Sequence, residues 1–280
     1  MKTLCYAKSF KIKDYLCFLL SLLYLLIYCV YLSVHMSITV HTFKDSILLV
    51  CDSLLYANEP AKSLTNISPN VFNAEYLLNN GLIEKELIGR GKVYFVRWQE
   101  HLLALRNYYR GGAIAKLSEK RFLYTGLKRT RCYQELEILE YLSSKGLNVP
   151  RPVAALVRKF PLSYEASILT QVIDNAVELD SLLAQEQVED AIWYTLGQEI
   201  RKMHDLQVCH YDLNVKNILL QSTQVYLIDF DKCLIKQGHA WKQGNLQRLK
   251  RSLLKQQALQ TNYHFEAANF ERLLMGYKGE

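Results

Sequence analysis

Apolar and polar residues alternate along several stretches of this chain in the pattern of half-buried β-strands. The alternation is loose over 38–50, and the stretch 86–97 predicts a strand, a glycine turn and a second strand. Further strands are predicted at 102–109, 149–157 and 167–173. This part of the chain therefore predicts a β-sheet.

Helical spacing of apolar residues appears between and after these strands. Residues 130–144 repeat apolar positions at that spacing, and Gly146 follows them as a stop signal. Residues 190–205 place an apolar stripe on one face of a longer helix. The remaining predicted elements are a short helix at 179–183, strands at 218–221 and 225–228, and helices from Trp241 onward. This order predicts an α+β fold with two lobes.

The composition agrees with a packed globular protein that carries a positive surplus. Hydrophobic residues make up 50% of the chain and charged residues 22%, so a packed core is expected. The net charge of +7 suits an anionic partner such as nucleic acid, a phosphorylated ligand or an acidic membrane, without choosing among them. The seven cysteines show no CxxC spacing, which argues against a zinc site and favours reduced thiols.

The strongest chemical signal is the run His210-Tyr211-Asp212, which Asn217 follows five residues after the aspartate. This spacing, on a loop that enters a predicted hairpin, matches the protein-kinase catalytic loop H-R-D-x-x-x-x-N, with Tyr211 in place of Arg. Phosphoryl transfer needs a carboxylate close to the attacking hydroxyl. We therefore predict that Asp212 is the catalytic residue.

A second motif, Asp229-Phe230-Asp231, follows the next predicted strand and occupies the D-F-G position of kinases, with Asp231 replacing Gly. Kinases hold Mg²⁺ against the ATP phosphates with an amide oxygen and a second carboxylate. Because a hairpin brings Asn217 and Asp229 together, we predict that these two residues bind the metal. Either motif alone would suit ordinary turns, but both occur in the expected order.

Gly89 and Gly91 flank the predicted turn after the first strand of the glycine hairpin. Backbone amides of such a turn can cover the ATP phosphates, so we predict that both glycines bind the nucleotide. A plain hairpin turn also explains the pattern.

Kinases also need a basic residue that reaches the phosphates from a strand and pairs with a helix glutamate. No V-A-I-K motif is present, so Lys116 and Arg106 are the candidates. We prefer Lys116, because a flexible point charge suits phosphate, although either residue would also suit a solvated surface. Glu135 and Glu137 lie on different faces of the predicted helix, and we choose Glu135 as the partner.

Several segments resemble the lipopolysaccharide kinases, and among them most closely the 3-deoxy-D-manno-octulosonic acid (Kdo) kinases. The resemblance covers roughly residue 82 to the C-terminus. The segments that carry it are LRNYYRGGAIAKL, TGLKRTRCYQELEILEYLSSKGLNVPRPVAA, KMHDLQVCHYDLNVKNILL, VYLIDFDK and WKQGNLQRLKRSL. It implies a two-lobed protein-kinase-like fold, α+β, with a small, mostly helical C-lobe. We place the N-lobe at 36–173 and the C-lobe at 174–280.

The resemblance also implies the reaction and its setting. Such a kinase uses ATP to phosphorylate the 4-hydroxyl of Kdo on Kdo-lipid A precursor, and it binds no nucleic acid. It is expected as a peripheral protein on the cytoplasmic side of the inner membrane, and the family's catalytic aspartate matches Asp212. Basic residues near Arg110 and in 232–255 would bind the Kdo carboxylate, the lipid phosphates or lipid head groups. No A-P-E segment follows Asp229, which argues against a peptide substrate.

Alternative functions stay open at this point. Another kinase of the same fold would act on heptose in the lipopolysaccharide core or on a soluble hydroxyl compound. A non-catalytic scaffold is a further alternative, which the intact Asp212, Asn217 and Asp229 oppose. The sequence leaves the oligomeric state undetermined.

The N-terminal segment conflicts with a kinase function. Residues 15–32 carry no charge and are just long enough for a transmembrane helix. Lysines precede the segment and none follows until Lys44, so the positive-inside rule would send the rest of the chain away from ATP. The segment could instead lie in the inner leaflet, span against this rule, or precede a natural start at Met36. We favour the start at Met36, with 1–35 as a separate hydrophobic segment.

Overall fold

The fold joins one large antiparallel sheet to a later, mostly helical part. The computed structural model describes residues 38–51, 67–88, 92–110 and 120–280. Residues Ser37–Glu280 form one compact unit. The apolar segment 15–32 lies outside the described residues. Among the residues that are described, no helix is both long enough and apolar enough to cross a bilayer.

Eight of the described strands form the large sheet, and neighbouring strands run antiparallel. In chain order they are β1 (Ile38–Thr42), β2 (Ser46–Cys51), β3 (Ile83–Ile88), β4 (Lys92–Trp98), β5 (His101–Asn107), β6 (Phe122–Leu123), β7 (Pro152–Lys159) and β8 (Ser163–Gln171). Their spatial order is β1-β2-β7-β8-β5-β4-β3, and β6 pairs with β8. Hence β3, β4 and β5 form a meander at one edge.

The single strand predicted over 38–50 is in fact two strands. The chain turns between β1 and β2, where the Phe43 amide donates to the Ser46 carbonyl at 2.8 Å. Ile47 and Leu49 join the core on one face of the sheet, whereas Leu48 joins the core on the other. A strand that is buried on both faces reads as a continuous apolar run rather than an alternation, which hid the turn.

Six helices complete the described parts. They are α1 (Ala74–Asn79), α2 (Arg131–Ser144), α3 (Leu179–Leu183), α4 (Asp190–Asp205), α5 (Lys242–Leu259) and α6 (Ala267–Lys278). The helices predicted at 179–183 and 190–205 are confirmed with the same bounds, and α2 begins one residue later than predicted. The Asn73 side chain accepts hydrogen bonds from two amides of the first turn and so caps α1.

Short strands connect the later helices and carry the loops that hold the predicted catalytic motifs. They are β9 (Val177–Glu178), β10 (Val208–Cys209), β11 (Ile218–Gln221), β12 (Gln224–Leu227) and β13 (Leu234–Ile235). The hairpin of β11 and β12 is as predicted, and β9 pairs with β11. β10 pairs with β13, so the chain on either side of the hairpin is brought back together.

The large sheet carries a hydrophobic core on each face. On one face, α1 contributes Leu77, and the 3-10 turn Pro69–Phe72 contributes Val71; both side chains are buried. On the other face, α2 packs Leu136 and Leu139 into a core that continues into the later helices. This shared core fixes the sheet and α2 relative to the loops between β10 and β13.

Helices α4 and α6 pack with their backbones in close contact through two glycines. A Cβ atom on Gly197 of α4 would lie 2.0 Å from the Leu273 carbonyl oxygen. A Cβ on Gly276 of α6 would lie 2.0 Å from the Tyr194 carbonyl oxygen. No flexible side chain is available to yield at either contact. The close packing holds α4, whose C-terminal end leads directly into β10.

Replacing Gly197 with Ala should destabilise the protein by about 3 kcal/mol, because the added methyl group forces two helix backbones apart. The matched control is Gly244→Ala in α5, where a Cβ meets nothing within 4 Å. That change should stabilise the protein by about 0.5–1 kcal/mol through helix propensity. Urea unfolding measures both effects. Equal stability of the Gly197→Ala protein and the wild type would show that the helices lie farther apart.

Candidate active site

His210 anchors the start of the loop that carries the predicted catalytic aspartate. Its ring is buried, with Nδ1 accepting from the Asp212 amide at 3.3 Å and Nε2 donating to the Ile228 carbonyl at 3.0 Å. Burial lowers the pKa of His210, which favours the neutral ring that this bonding pattern requires. The histidine thus ties the loop to the end of β12, one residue before Asp229.

Helix α5 supports the same loop from the other side. The Asn245 side-chain oxygen accepts from the His210 amide at 3.2 Å and lies 3.3 Å from Nε2 of His204. Burial lowers the pKa of His204 to about 4, so its neutral ring donates to Asn245. About two turns further along α5, the Ser252 hydroxyl accepts a hydrogen bond from the Val215 amide at 3.0 Å. The helical spacing of these residues in NLQRLKRSL was a signal that the sequence interpretation left unused.

Asp212 has a fixed backbone and an open carboxylate. The side-chain amides of Asn214 and Asn217 each donate to its carbonyl oxygen at 2.9 Å. Its carboxylate is 51% exposed, and Oδ1 accepts from Nη2 of Arg248 on α5 at 2.8 Å. A carboxylate held in this way is accessible to a substrate hydroxyl. The sequence interpretation placed Arg248 only in a basic stretch and missed this contact.

The two predicted metal ligands lie at adjacent ends of the β11–β12 hairpin. The Asn217 carbonyl accepts from the Ile228 amide at 3.0 Å, which brings Asn217 beside the residue that precedes Asp229. The Asn217 side chain uses its NH₂ group on Asp212, so its oxygen is left for a cation. Asp229 has a φ of 63°, a left-handed conformation that Asp tolerates better than most residues and that is common at functional sites.

Oxygen donors of this kind fit Mg²⁺, which usually takes one or two protein ligands and completes its shell with water and phosphate oxygens. In the described parts of the chain, no three His, Cys, Asp or Glu side chains gather as a larger metal cluster would require. The donor set is therefore suited to a magnesium ion that is shared with a nucleotide.

Arg106 on β5 links three elements through two carboxylates. Its Nη1 lies 2.7 Å from Oδ1 of Asp229, and its Nη2 pairs with Oε1 of Glu135 on α2. The Tyr108 hydroxyl donates to the other oxygen of Glu135 at 2.5 Å. The Glu135 side chain is only 2% exposed. The structure thus places a basic residue of the third meander strand against a helix glutamate, as the kinase pattern requires.

The charged states of Glu135 and Arg106 depend on each other. Burial raises the pKa of the Glu135 carboxyl, and the opposing influences are the positive charge of Arg106 and the hydrogen bonds from Tyr108 and Arg106. Burial would lower the pKa of Arg106, but the negative charges of Glu135 and Asp229 oppose this, and the pKa is raised. Arg106 therefore stays charged and compensates a carboxylate that the protein interior would otherwise disfavour.

The other predicted nucleotide-binding residues lie outside the described residues. These are Gly89, Gly91 and Lys116. The strands on either side of the two glycines pair with each other, with Ile88 opposite Lys92. The choice of Glu135 over Glu137 agrees with the ion pair to Arg106, the less favoured of the two basic candidates.

A second ion pair joins the loop of the 229–231 motif to helix α2. Asp231 stands where the D-F-G pattern has Gly, and its carboxylate accepts from Nε of Arg131 at 2.8 Å. Arg131 is the first residue of α2, and its guanidinium also donates to the Tyr109 carbonyl at 3.3 Å and lies over the ring of Phe122. Asp231, which replaces the Gly of the D-F-G pattern, is thus paired with Arg131, and the sequence interpretation did not identify this pair.

Comparisons with known proteins agree with this geometry. A family model described as "Lipopolysaccharide kinase (Kdo/WaaP) family" matches residues 77–277. The 3-deoxy-D-manno-octulosonic acid kinase of Photobacterium profundum is 45% identical, over 74% of this chain and 88% of the relative. The enzyme of the same name from Vibrio cholerae is 46% identical, over 66% of this chain and 79% of the relative.

A solved structure, WaaP in complex with acyl carrier protein, has a similar fold. Its TM-score is 0.52 at 16% sequence identity, and the match covers 79% of this chain and 87% of that one. The predicted α+β, protein-kinase-like fold is confirmed.

Replacing Arg106 with Met should destabilise the protein by about 3–5 kcal/mol at neutral pH, because Glu135 is left buried without its cation. The loss should shrink as the pH falls. Burial holds the folded-state pKa of Glu135 above the unfolded value, so stability is lost as the pH rises through the folded pKa and recovered below it. Urea unfolding between about pH 5 and pH 8 measures both effects.

The control is the double variant R106M/E135M, which removes both charges together. It should recover most of the lost stability, since buried ion pairs are often replaced by apolar residues at little net cost. If the single and double variants were equally destabilised at every pH, the charge compensation described here would be wrong.

Proposed function

This chain belongs to the lipopolysaccharide kinase (Kdo/WaaP) family, and we propose that it transfers phosphate from ATP to the 4-hydroxyl of Kdo on Kdo-lipid A precursor. It is a phosphotransferase that acts on a hydroxyl group. The observation that carries the proposal is the half-exposed carboxylate of Asp212, on a loop whose backbone is held by the Asn217 side chain, in a chain 45% identical to a named Kdo kinase.

Asp212 acts on the acceptor. Its carboxylate accepts the proton of the attacking sugar hydroxyl while that oxygen forms a bond to the terminal phosphorus of ATP; the bond from this phosphorus to the bridging oxygen breaks, and ADP leaves. The hydrogen bonds from Asn214 and Asn217 to its carbonyl keep its backbone in place. Little conformational entropy of the loop therefore has to be lost when the reaction occurs.

The Asn217 oxygen and the Asp229 carboxylate would hold Mg²⁺. When bound, this ion neutralises charge on the nucleotide phosphates. Arg106 contacts Asp229 at 2.7 Å and is fixed from behind by Glu135, so its guanidinium is suited to bind the phosphates next to the metal ligands. Glu135 acts through Arg106 as a positioning residue. Gly89, Gly91 and Lys116 stay proposed nucleotide-binding residues.

We place the protein at the cytoplasmic face of the inner membrane as a peripheral protein, because its acceptor is a lipid. The exposed Lys255 of α5 would support this, since basic residues contribute about 1 kcal/mol each near an anionic lipid surface. Leu254 and Leu259 of the same helix are also exposed, 46% and 68%. These apolar side chains favour an interface over open water.

The function is tested by transfer from labelled ATP to Kdo-lipid A precursor, with heptosylated core as the competing acceptor. Replacing Asp212 with Asn should lower kcat by about 10²–10⁴-fold, because the proton acceptor is lost. Asp205→Asn is the matched control. Asp205 is 52% exposed, and its ion pairs are with Arg201 at 2.8 Å and Lys242 at 3.7 Å rather than with residues of the catalytic loop. It should keep near wild-type activity.

Three outcomes would contradict the proposal. Full activity of the Asp212→Asn protein would remove Asp212 from the reaction. Transfer to heptosylated core alone would make the chain a heptose kinase. A protein that binds ATP without any transfer would favour the scaffold alternative.

The two basic candidates for phosphate binding are separated by single substitutions. Arg106→Lys keeps a charge near Glu135 but loses the planar contacts to both carboxylates, so it should raise KM for ATP and lower kcat by about 10–100-fold. Lys116→Arg should have a smaller effect if Arg106 binds the phosphates. Steady-state kinetics at varied ATP give both values, and a larger effect at Lys116 would reverse the assignment.

A further inference from the structure

Arg248 is the one side chain of the α5 face described above that is both charged and half-exposed. Its neighbours on that face, Asn245 and Ser252, bond to backbone amides of the catalytic loop and have a supporting role. Arg248 instead donates to the Asp212 carboxylate at 2.8 Å, and 47% of its side chain is exposed. The sequence separation of 36 residues shows that the contact is made by the fold.

Stability alone does not explain this pair. Ion pairs exposed to water contribute about 0–1 kcal/mol. A guanidinium carries five N–H groups, and the bond to Asp212 uses one of them. Among the described residues, Asp212 is the sole hydrogen-bond acceptor of Arg248. Most of its donors are therefore available to a ligand at the catalytic carboxylate.

Other basic residues near the loop are engaged elsewhere. The Lys216 ammonium lies 3.5 Å from the Asp180 carboxylate, and the Lys250 ammonium lies over the Phe270 ring. Neither contact involves Asp212. Among the described residues, Arg248 is thus the basic side chain in contact with the Asp212 carboxylate, where the acceptor hydroxyl must bind.

The proposed acceptor is an acidic sugar, and its charge creates a difficulty at this site. In Kdo a single ring carbon separates C4, which bears the reacting hydroxyl, from the carbon that bears the carboxylate. When the hydroxyl lies at Asp212, two negative charges are brought close together, which opposes binding. A guanidinium that bonds to one carboxylate and offers a planar pair of donors to a second relieves that repulsion.

We propose that Arg248 is a specificity-determining residue, which binds the carboxylate of the acceptor sugar while it is bonded to Asp212. This rests on the proposed function. The contact selects an acidic sugar over a neutral one, since only an acidic acceptor gives the guanidinium of Arg248 a second carboxylate with which to form charge-assisted hydrogen bonds.

The experiment pairs a change in the enzyme with a change in the acceptor. Wild-type protein and the R248Q variant are assayed with Kdo-lipid A precursor and with the same acceptor after its Kdo carboxylate is converted to an amide. The wild type should lose about 10–100-fold in kcat/KM on the amide, as expected for one charge-assisted hydrogen bond. R248Q should lose a similar factor on the natural acceptor and less than about threefold further on the amide.

The control variant is R201Q. Arg201 forms a pair with Asp205 of the same length and of similar exposure, 49%, but on α4. It should discriminate between the two acceptors as the wild type does. In R248Q the KM for ATP should stay unchanged, which separates acceptor binding from nucleotide binding. If R248Q turns over too slowly, calorimetric binding of the two acceptors without nucleotide gives the same comparison.

Equal discrimination by R248Q and the wild type would overturn the inference, because Arg248 would then only orient Asp212. That result is distinct from failure of the proposed function, in which the wild type itself transfers no phosphate to Kdo-lipid A precursor and both proposals are wrong.

Discussion

The buried carboxylate of Glu135 is the constraint on which the site depends. A carboxylate that is 2% exposed requires a cation and hydrogen-bond donors, and here it has Arg106 and Tyr108. Because Arg106 also pairs with Asp229, compensation of one buried charge joins β5, α2 and the loop of the 229–231 motif. The charge network that stabilises the fold is therefore the same network that arranges the residues proposed to bind the nucleotide and its metal.

The loop of the 229–231 motif has a second connection to α2, through Arg131 and Asp231. Both connections join helix α2 to residues of the 229–231 motif. A displacement of α2 would disturb both pairs together, so the helix and the loop are expected to move as one unit. Where the D-F-G pattern has a flexible Gly, this chain has Asp231, whose carboxylate is bonded to Arg131. The loop therefore has less backbone flexibility and one more charged contact, which suits a rigid site.

The catalytic loop is held differently. It contributes backbone groups to side chains of α5 and to buried His210, whereas the carboxylate of Asp212 is left in solvent next to Arg248. Support through the backbone leaves the reactive group available. The fold places the supporting helix late in the chain, and the close packing of α4 against α6 fixes the strand from which the loop begins.

The sequence by itself determined the class of fold, the helix at 190–205 and the kinase-like motifs of 210–231, because these depend on local spacing and on the order of motifs. Only the tertiary structure decided the partners. Arg106 and Asp229 are 123 residues apart, and nothing local in the sequence pairs Arg106 with Asp229 or favours it over Lys116. The turn between β1 and β2 was hidden for a related reason, since burial on both faces removes the alternation that local reading depends on. Contacts between distant segments are set by how the sheet, α2 and α5 pack on one core, and that packing has no signature at a single position.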